Sequence, residues 1–210
     1  KLKEGTLSIR EKLALTNYKS SLENASILTD FTKELDAAGT LQEQEQINNS
    51  WSSFKRQAQL ALIAMKSGVA VAADLHVGGA FDSHQFHDRD QGESLTVTTD
   101  GIDYIWQYAE QLGIADRIVM VVMSDFSRTP YYNDTEGKDH WPVGSAIIME
   151  RHASWGNRMV GLTDEAQNII PINPATMQPD ANSGKVIYPK HVMQSFREYM
   201  GVADHSLAQP

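Results

Sequence analysis

Three histidines and three aspartates fall within residues 75–90, "LHVGGAFDSHQFHDRD", behind a pair of glycines. Two further acid-bearing segments follow, "SDFSRTP" around Asp125 and "GKDHWP" around Asp139 and His140. Imidazole and carboxylate together are a donor set suited to zinc, manganese or iron. If the three segments converge, Asp82, Asp125 and Asp139 cannot all stay ionised side by side without a counter-charge. Two like charges about 4 Å apart repel by roughly 4 kcal/mol at an effective dielectric near 20. A divalent cation is one solution, Arg128 or Lys138 another, and separation a third.

Each cluster also has a plainer reading. Asp82-x-His84 fits a metal-ligand pair, and equally a loop in which Asp82 caps the next turn. His87, Asp88 and Asp90 read as a solvated face. Asp125, directly after an apolar run, suits a turn, and Asp139-His140 before Trp141-Pro142 suits packing plus a turn. Arg128 can face a substrate anion or brace a carboxylate. Ser83, Ser124 and Ser127 lie near the acids, but none sits in a Gly-x-Ser-x-Gly nucleophile elbow. His152, His191 and His205 lack acids at telling spacing and read as structural or surface residues.

The elements that must position these residues follow from hydrophobic period. Leu28, Phe31 and Leu35 recur at helical spacing before Gly39, and Thr40-Leu41-Gln42-Glu43 has the form of a capping box opening a second helix. Trp51, Phe54, Ala58, Ala61 and Met65 form an apolar stripe ending at Gly68, expected to face a core. "VAVAADL" (69–75) fits a strand buried on both faces. Leu95, Ile102, Ile105, Ala109 and Leu112 mark a helix stopped by Gly113. "RIVMVVM" (117–123) is the clearest buried strand, with "SAIIME" (145–150) a third and "RMVGLT" (158–163) a weaker fourth. Val192, Phe196 and Met200 mark a closing helix between Pro189 and Gly201. Helix alternating with strand predicts an α/β fold with a largely parallel sheet flanked by helices. In such sheets ligands collect beyond the carboxyl ends of the strands, where the Asp82 and Asp125 loops would open onto one edge.

Composition narrows the classes. The chain has 210 residues, 41% hydrophobic, as expected of a folded domain. It carries 18 basic and 27 acidic side chains, a net charge of −9, which disfavours nucleic acid as a partner. Without cysteine there are no disulfides, thiolate nucleophiles or sulfur ligands. No apolar run approaches the roughly 18 residues of a membrane span, and no targeting segment opens the chain. Its first residue is Lys1, which suggests a processed or truncated product.

The segments "GGAFDSH", "VVMSDFSRTP", "GKDHWP" and "GLTDE", in that order, resemble the signature segments of a bacterial family, domain of unknown function 1501. The likeness extends upstream into "SSFKRQAQLALIAMKSGVAV" and downstream into "VIYPKHVMQSFREYMGV". It covers residues 51–210 well and the helical residues 1–50 loosely. The family is grouped with alkaline-phosphatase-like and sulfatase-like proteins. The resemblance therefore implies an alkaline-phosphatase-like α/β domain, here its carboxyl-terminal half, in a protein exported to the periplasm by a twin-arginine signal. It implies a metal-dependent hydrolase of phosphate or sulfate esters acting on a small anionic substrate. The implied ligands for zinc, manganese or calcium are Asp82, His84, Asp125, Asp139 and His140, with Arg128 neutralising negative charge. Some residues depart from the pattern. Phe126 stands where the wider superfamily has histidine, Asp125 where the family is expected to have glutamate, and His84 and His87 miss the usual spacing. No segment before residue 51 resembles the one that carries the nucleophile. These departures set out the alternative, a non-catalytic exported binding or structural module with a single-ion or degenerate site.

Overall fold

The structure is a computed structural model that describes residues 8–79 and 81–206. Lys1 and Ala80 lie outside them. The chain divides into two compact units. One runs to Met120 and includes Asn133–Lys138; the other comprises Val121–Tyr132 and the chain from Asp139 onward.

The first unit is built on helices. Helix α1 (Ile9–Ala38) begins at a capping box in which the Ser8 hydroxyl accepts from the Glu11 amide at 3.3 Å and the Glu11 carboxylate accepts from the Ser8 amide at 2.8 Å. It stops at Gly39, whose φ of +68° suits a residue without a Cβ. Phe31 and Leu35 are half-buried on the end of α1 that packs on α2, while Leu13, Tyr18 and Leu22 remain exposed.

The expected helix start at Thr40–Glu43 does not form. The segment instead leads into a short hairpin, β1 (Glu45–Ile47) and β2 (Ser50–Ser52), paired antiparallel with Gln46 opposite Trp51. Its backbone groups are already engaged by side chains of α2 (Phe54–Lys66). Buried Gln59 accepts from the Gln42 amide at 2.8 Å, and Arg56 donates to the Gln42 carbonyl at 2.8 Å. The stripe predicted over 51–65 is correct at Phe54 and Ala58 and partly at Met65, whereas Ala61 is half-buried beside the buried Leu62 and Ile63, and Trp51 belongs to β2 and is exposed.

Helix α3 (His87–Gln111) packs along α2. Between them lies the core of this unit: Phe54, Ala58, Leu62, Ile105, Ala109 and Ile114 are all buried. Gly101, midway along α3, lets the Phe54 ring lie against the helix backbone. A 3₁₀ turn at Ala115–Arg117 leads into β3 (Val119–Met123).

A largely parallel, alkaline-phosphatase-like sheet is not what the chain forms. Among the described residues the sheets are all two-stranded: β1 with β2, β3 with β6 (Ala146–Glu150), β4 (Ser127–Arg128) with β5 (His140–Trp141), and β7 (Leu162–Thr163) with β8 (Ile169–Ile170). The registers of β1–β2, β4–β5 and β7–β8 are antiparallel. The expected first strand, 69–75, is irregular, and Val71 is 90% exposed. Gln57 of α2 holds the following segment by donating to the His76 carbonyl and accepting from its amide, both at 3.1 Å. With no strand over 69–75 among the described residues, α3 is not the crossover of the βαβ unit expected there. The apolar run over 117–123 does form a strand, but Val119, Val121 and Met123 are exposed on one face, so it is not buried on both.

In the second unit the closing helix α4 (Pro189–Tyr199) forms where expected, with Gly201 at φ +69° just past its end. The Tyr199 hydroxyl donates to Glu150 at 2.5 Å, and Trp155 meets the Tyr199 ring edge-on, fastening α4 near the end of β6. No described helix is long and apolar enough to cross a membrane.

Candidate functional site

In the first unit, Asp82 and His84 flank Ser83, which is fully buried. The outer two side chains face solvent while the middle one turns inward. Asp82 Oδ1 lies 3.3 Å from His84 Nε2, with side chains 78% and 43% exposed respectively. A charge-assisted N–H···O contact usually closes to about 2.7–2.9 Å. Two donors each about 2.0–2.1 Å from a tetrahedral metal ion stand about 3.3 Å apart. The spacing of the pair matches that of two donors sharing one cation.

The loop bearing the pair is tightly fixed. Ser83 Oγ lies 2.7 Å from His87 Nδ1, and the Ser83 carbonyl accepts from the Lys138 amide at 3.0 Å. The His84 carbonyl accepts from Asn133 Nδ2 at 3.1 Å and from the Thr135 hydroxyl at 2.8 Å. Helix α3 has no side-chain N-cap; the amides of Phe86 and His87 donate to the Thr135 and Glu136 carbonyls instead. These carbonyls satisfy donors that a helix start otherwise leaves open. Phe86 adopts a left-handed backbone at φ 49°, with the Arg89 guanidinium 4.9 Å from its ring centre.

The solvated-face reading of 87–90 is corrected at Asp90. These residues are the first turn of α3, and Asp90 is buried, accepting from Arg89 Nε at 2.7 Å. That bond raises the Arg89 pKa above its ordinary value. A carboxylate here also meets the positive end of the helix dipole.

In the second unit, Asp125 is exposed and Oδ1 accepts from the Phe126 amide at 3.1 Å, which is the turn role for that residue. Arg128 and His140 are direct cross-strand partners in β4–β5. The Phe126 ring lies 4.1 Å from that of His140, centre to centre, and the Arg128 guanidinium is 5.4 Å from the Phe126 ring centre. Phe126, the departure noted in the sequence, therefore stacks with both. Asp139 is tied through its backbone to buried Thr129: its carbonyl accepts from the Thr129 amide at 2.9 Å and its amide donates to Thr129 Oγ1 at 3.2 Å. Trp141 donates to the Gln167 carbonyl at 3.0 Å, and Ser127 Oγ donates to the Val143 carbonyl.

The structure thus joins Asp82 with His84, and Arg128 with His140. Reasoning from spacing missed Ser83 with His87, and the turn Asn133–Lys138. The signal for that turn was present in Asn133-x-Thr135-x-Gly137, an Asx-turn composition. Asn133 Oδ1 indeed accepts from the amides of Thr135 at 3.0 Å and Gly137 at 2.9 Å.

The class these features define is a helix-based chain with small two-stranded sheets and a solvent-facing Asp-x-His pair. Its sequence matches the family described as "Protein of unknown function (DUF1501)" over residues 4–177, and the chain belongs to that family. The match takes in the opening helix, which the motif resemblance reached only loosely, and stops before α4. Comparison with curated proteins and with solved structures finds no match.

Proposed function

We propose that this chain supplies donors for a divalent cation, zinc, manganese or calcium, in the hydrolysis of a small phosphate or sulfate ester. The donors proposed for it are Asp82 and His84; taken by itself, the second unit offers Asp125, Asp139 and His140 as candidate donors. The observation that carries the reading is the 3.3 Å separation of Asp82 Oδ1 and His84 Nε2 on a loop fixed from behind. A bound divalent cation there lowers the pKa of its water from 15.7 towards about 7 or polarises an ester oxygen. Arg128, a permanent cation with a planar fork of donors, suits a tetrahedral oxyanion. The family resemblance is also what supports export to the periplasm as the setting.

Metal content measured by inorganic mass spectrometry after incubation with each ion tests the first claim. Wild type should retain one ion that Asp82→Ala and His84→Ala lose. Wild type that retains none of the three would refute the assignment. His140→Ala and Asp125→Ala, made separately, read the second unit's contribution by itself.

The stacking of Phe126 on His140 supports a second reading, an ion-binding module without turnover, because the ring covers an imidazole face at the departed position. Chromogenic phosphate and sulfate esters separate the two. Turnover by the full-length parent that disappears in His140→Ala ends the second reading, and metal binding by that parent with no turnover ends the first. This chain, with no segment resembling the one that carries the nucleophile, should itself show little or no hydrolysis.

A further inference from the structure

We propose that the turn Asn133–Lys138 is a strap that positions Asp82 and His84 for metal, so that its side chains set the metal affinity of residues about fifty positions earlier. This inference rests on the reading of that pair as cation donors. The turn is shaped from within by Asn133 Oδ1, which accepts from the amides of Thr135 and Gly137. It then grips the donor loop at four successive residues. Lys138 holds the Ser83 carbonyl; Asn133 and Thr135 both hold the His84 carbonyl; Gln85 bridges Glu136; and the Phe86 amide meets the Thr135 carbonyl.

The closeness of approach demands glycine. A Cβ on Gly137 would lie 1.8 Å from the His84 carbonyl oxygen and 2.0 Å from its carbon, far inside contact distance. These atoms are backbone, so they cannot swing aside as a side-chain tip can. The strap therefore sets the plane of the peptide that follows His84 and, with Ser83 buried beneath, the direction in which both donors leave the loop. Partners outside the donor set that orient ligands in this way typically change metal affinity by about 10–100-fold when removed.

Thr135→Val removes the hydroxyl at constant shape, Thr135→Ser keeps the hydroxyl, and Asn133→Ala removes both the internal cap and one grip. Zinc affinity of the full chain is measured by calorimetry, cobalt(II) absorption reports donor geometry, and amide hydrogen exchange is followed at Phe86, His87 and Lys138 without metal. Zinc binding should weaken about 10-fold or more in Thr135→Val and Asn133→Ala. The cobalt spectrum should change, exchange at the three amides should accelerate, and Thr135→Ser should behave as wild type. If wild type binds zinc and both disruptive variants bind it equally well, the strap proposal is overturned while the metal reading stands. If wild type binds neither zinc nor cobalt, the metal reading fails and positioning for metal fails with it. Accelerated exchange alone would then show only a structural turn.

Discussion

Gly101→Ala should destabilise the chain even though alanine is the better helix former. At an exposed helix site this exchange stabilises by about 1 kcal/mol. Here the new Cβ would fall 2.0 Å from Phe54 Cε1 and 2.3 Å from Cδ1, where carbon atoms normally stand about 3.5–4.0 Å apart. The Phe54 ring, 6% exposed and walled in by Ala58, Leu62 and Ile105, must retreat by about 1.5 Å or α3 must lift from α2. Overpacking of this kind costs about 1–3 kcal/mol. Set against the propensity gain, with the clash at the upper end of that range, the net loss should be about 1–2 kcal/mol. Urea denaturation followed by far-ultraviolet circular dichroism measures it. The double variant Gly101→Ala, Phe54→Leu separates clash from propensity, because a smaller residue 54 should recover at least about 0.5 kcal/mol relative to the sum of the singles. A midpoint for Gly101→Ala at or above wild type would show that the Phe54 ring does not rest on Gly101.

Two further outcomes are expected. The Tyr104 hydroxyl is buried without a hydrogen-bond partner, and burial followed by neighbouring Tyr108 pushes its pKa up to about 12 from 10.0. The stability it contributes is complete below pH 10 and falls as pH rises from 10 towards 12, since the unfolded phenol ionises first. Tyr104→Phe should remove that alkaline loss in a urea series. At neutral pH it should also leave stability unchanged or raise it by about 1 kcal/mol, because an unsatisfied buried group is gone. At α1, the Ser8 hydroxyl and then its amide hold the Glu11 carboxyl below the usual carboxylate value of 4.5. Its contribution is therefore present above that value and lost as pH falls through the lower folded one, so helicity should drop there. Glu11→Gln should show no such acid step by circular dichroism, and an identical step in both proteins would remove Glu11 as its source.

Helices with a clean apolar stripe were legible: Phe54 and Ala58, Ile105 and Ala109, and the Pro189-to-Gly201 frame of α4 all stand where periodicity predicts. The sheet was not. A short Val/Ala run such as 69–75 has strand composition, but whether it pairs depends on partners far away in sequence, and here Gln57 fixes the backbone just beyond it, at His76, instead. The box at 40–43 failed for a similar reason, since Gln59 and Arg56 claim the Gln42 backbone. Of the site, Asp82-x-His84 was readable because its two donors lie close together in the chain. Asp90 looked solvated because acidic residues usually are, and its burial depends on Arg89 and the helix start. The Asn133–Lys138 grip on His84 could not be read from spacing, because nothing local marks which carbonyl a distant hydroxyl will find.

That grip has a temporal side. The bonds to the His84 carbonyl join residues separated by 49 and 51 positions, so closing them costs more chain entropy than any turn of α2 or α3. During synthesis the helices of the first unit can form as they emerge, whereas the Asp82 loop gains its long-range clasp only once Asn133–Lys138 has been added. The chemistry-bearing segment is thus the part of its unit that matures last.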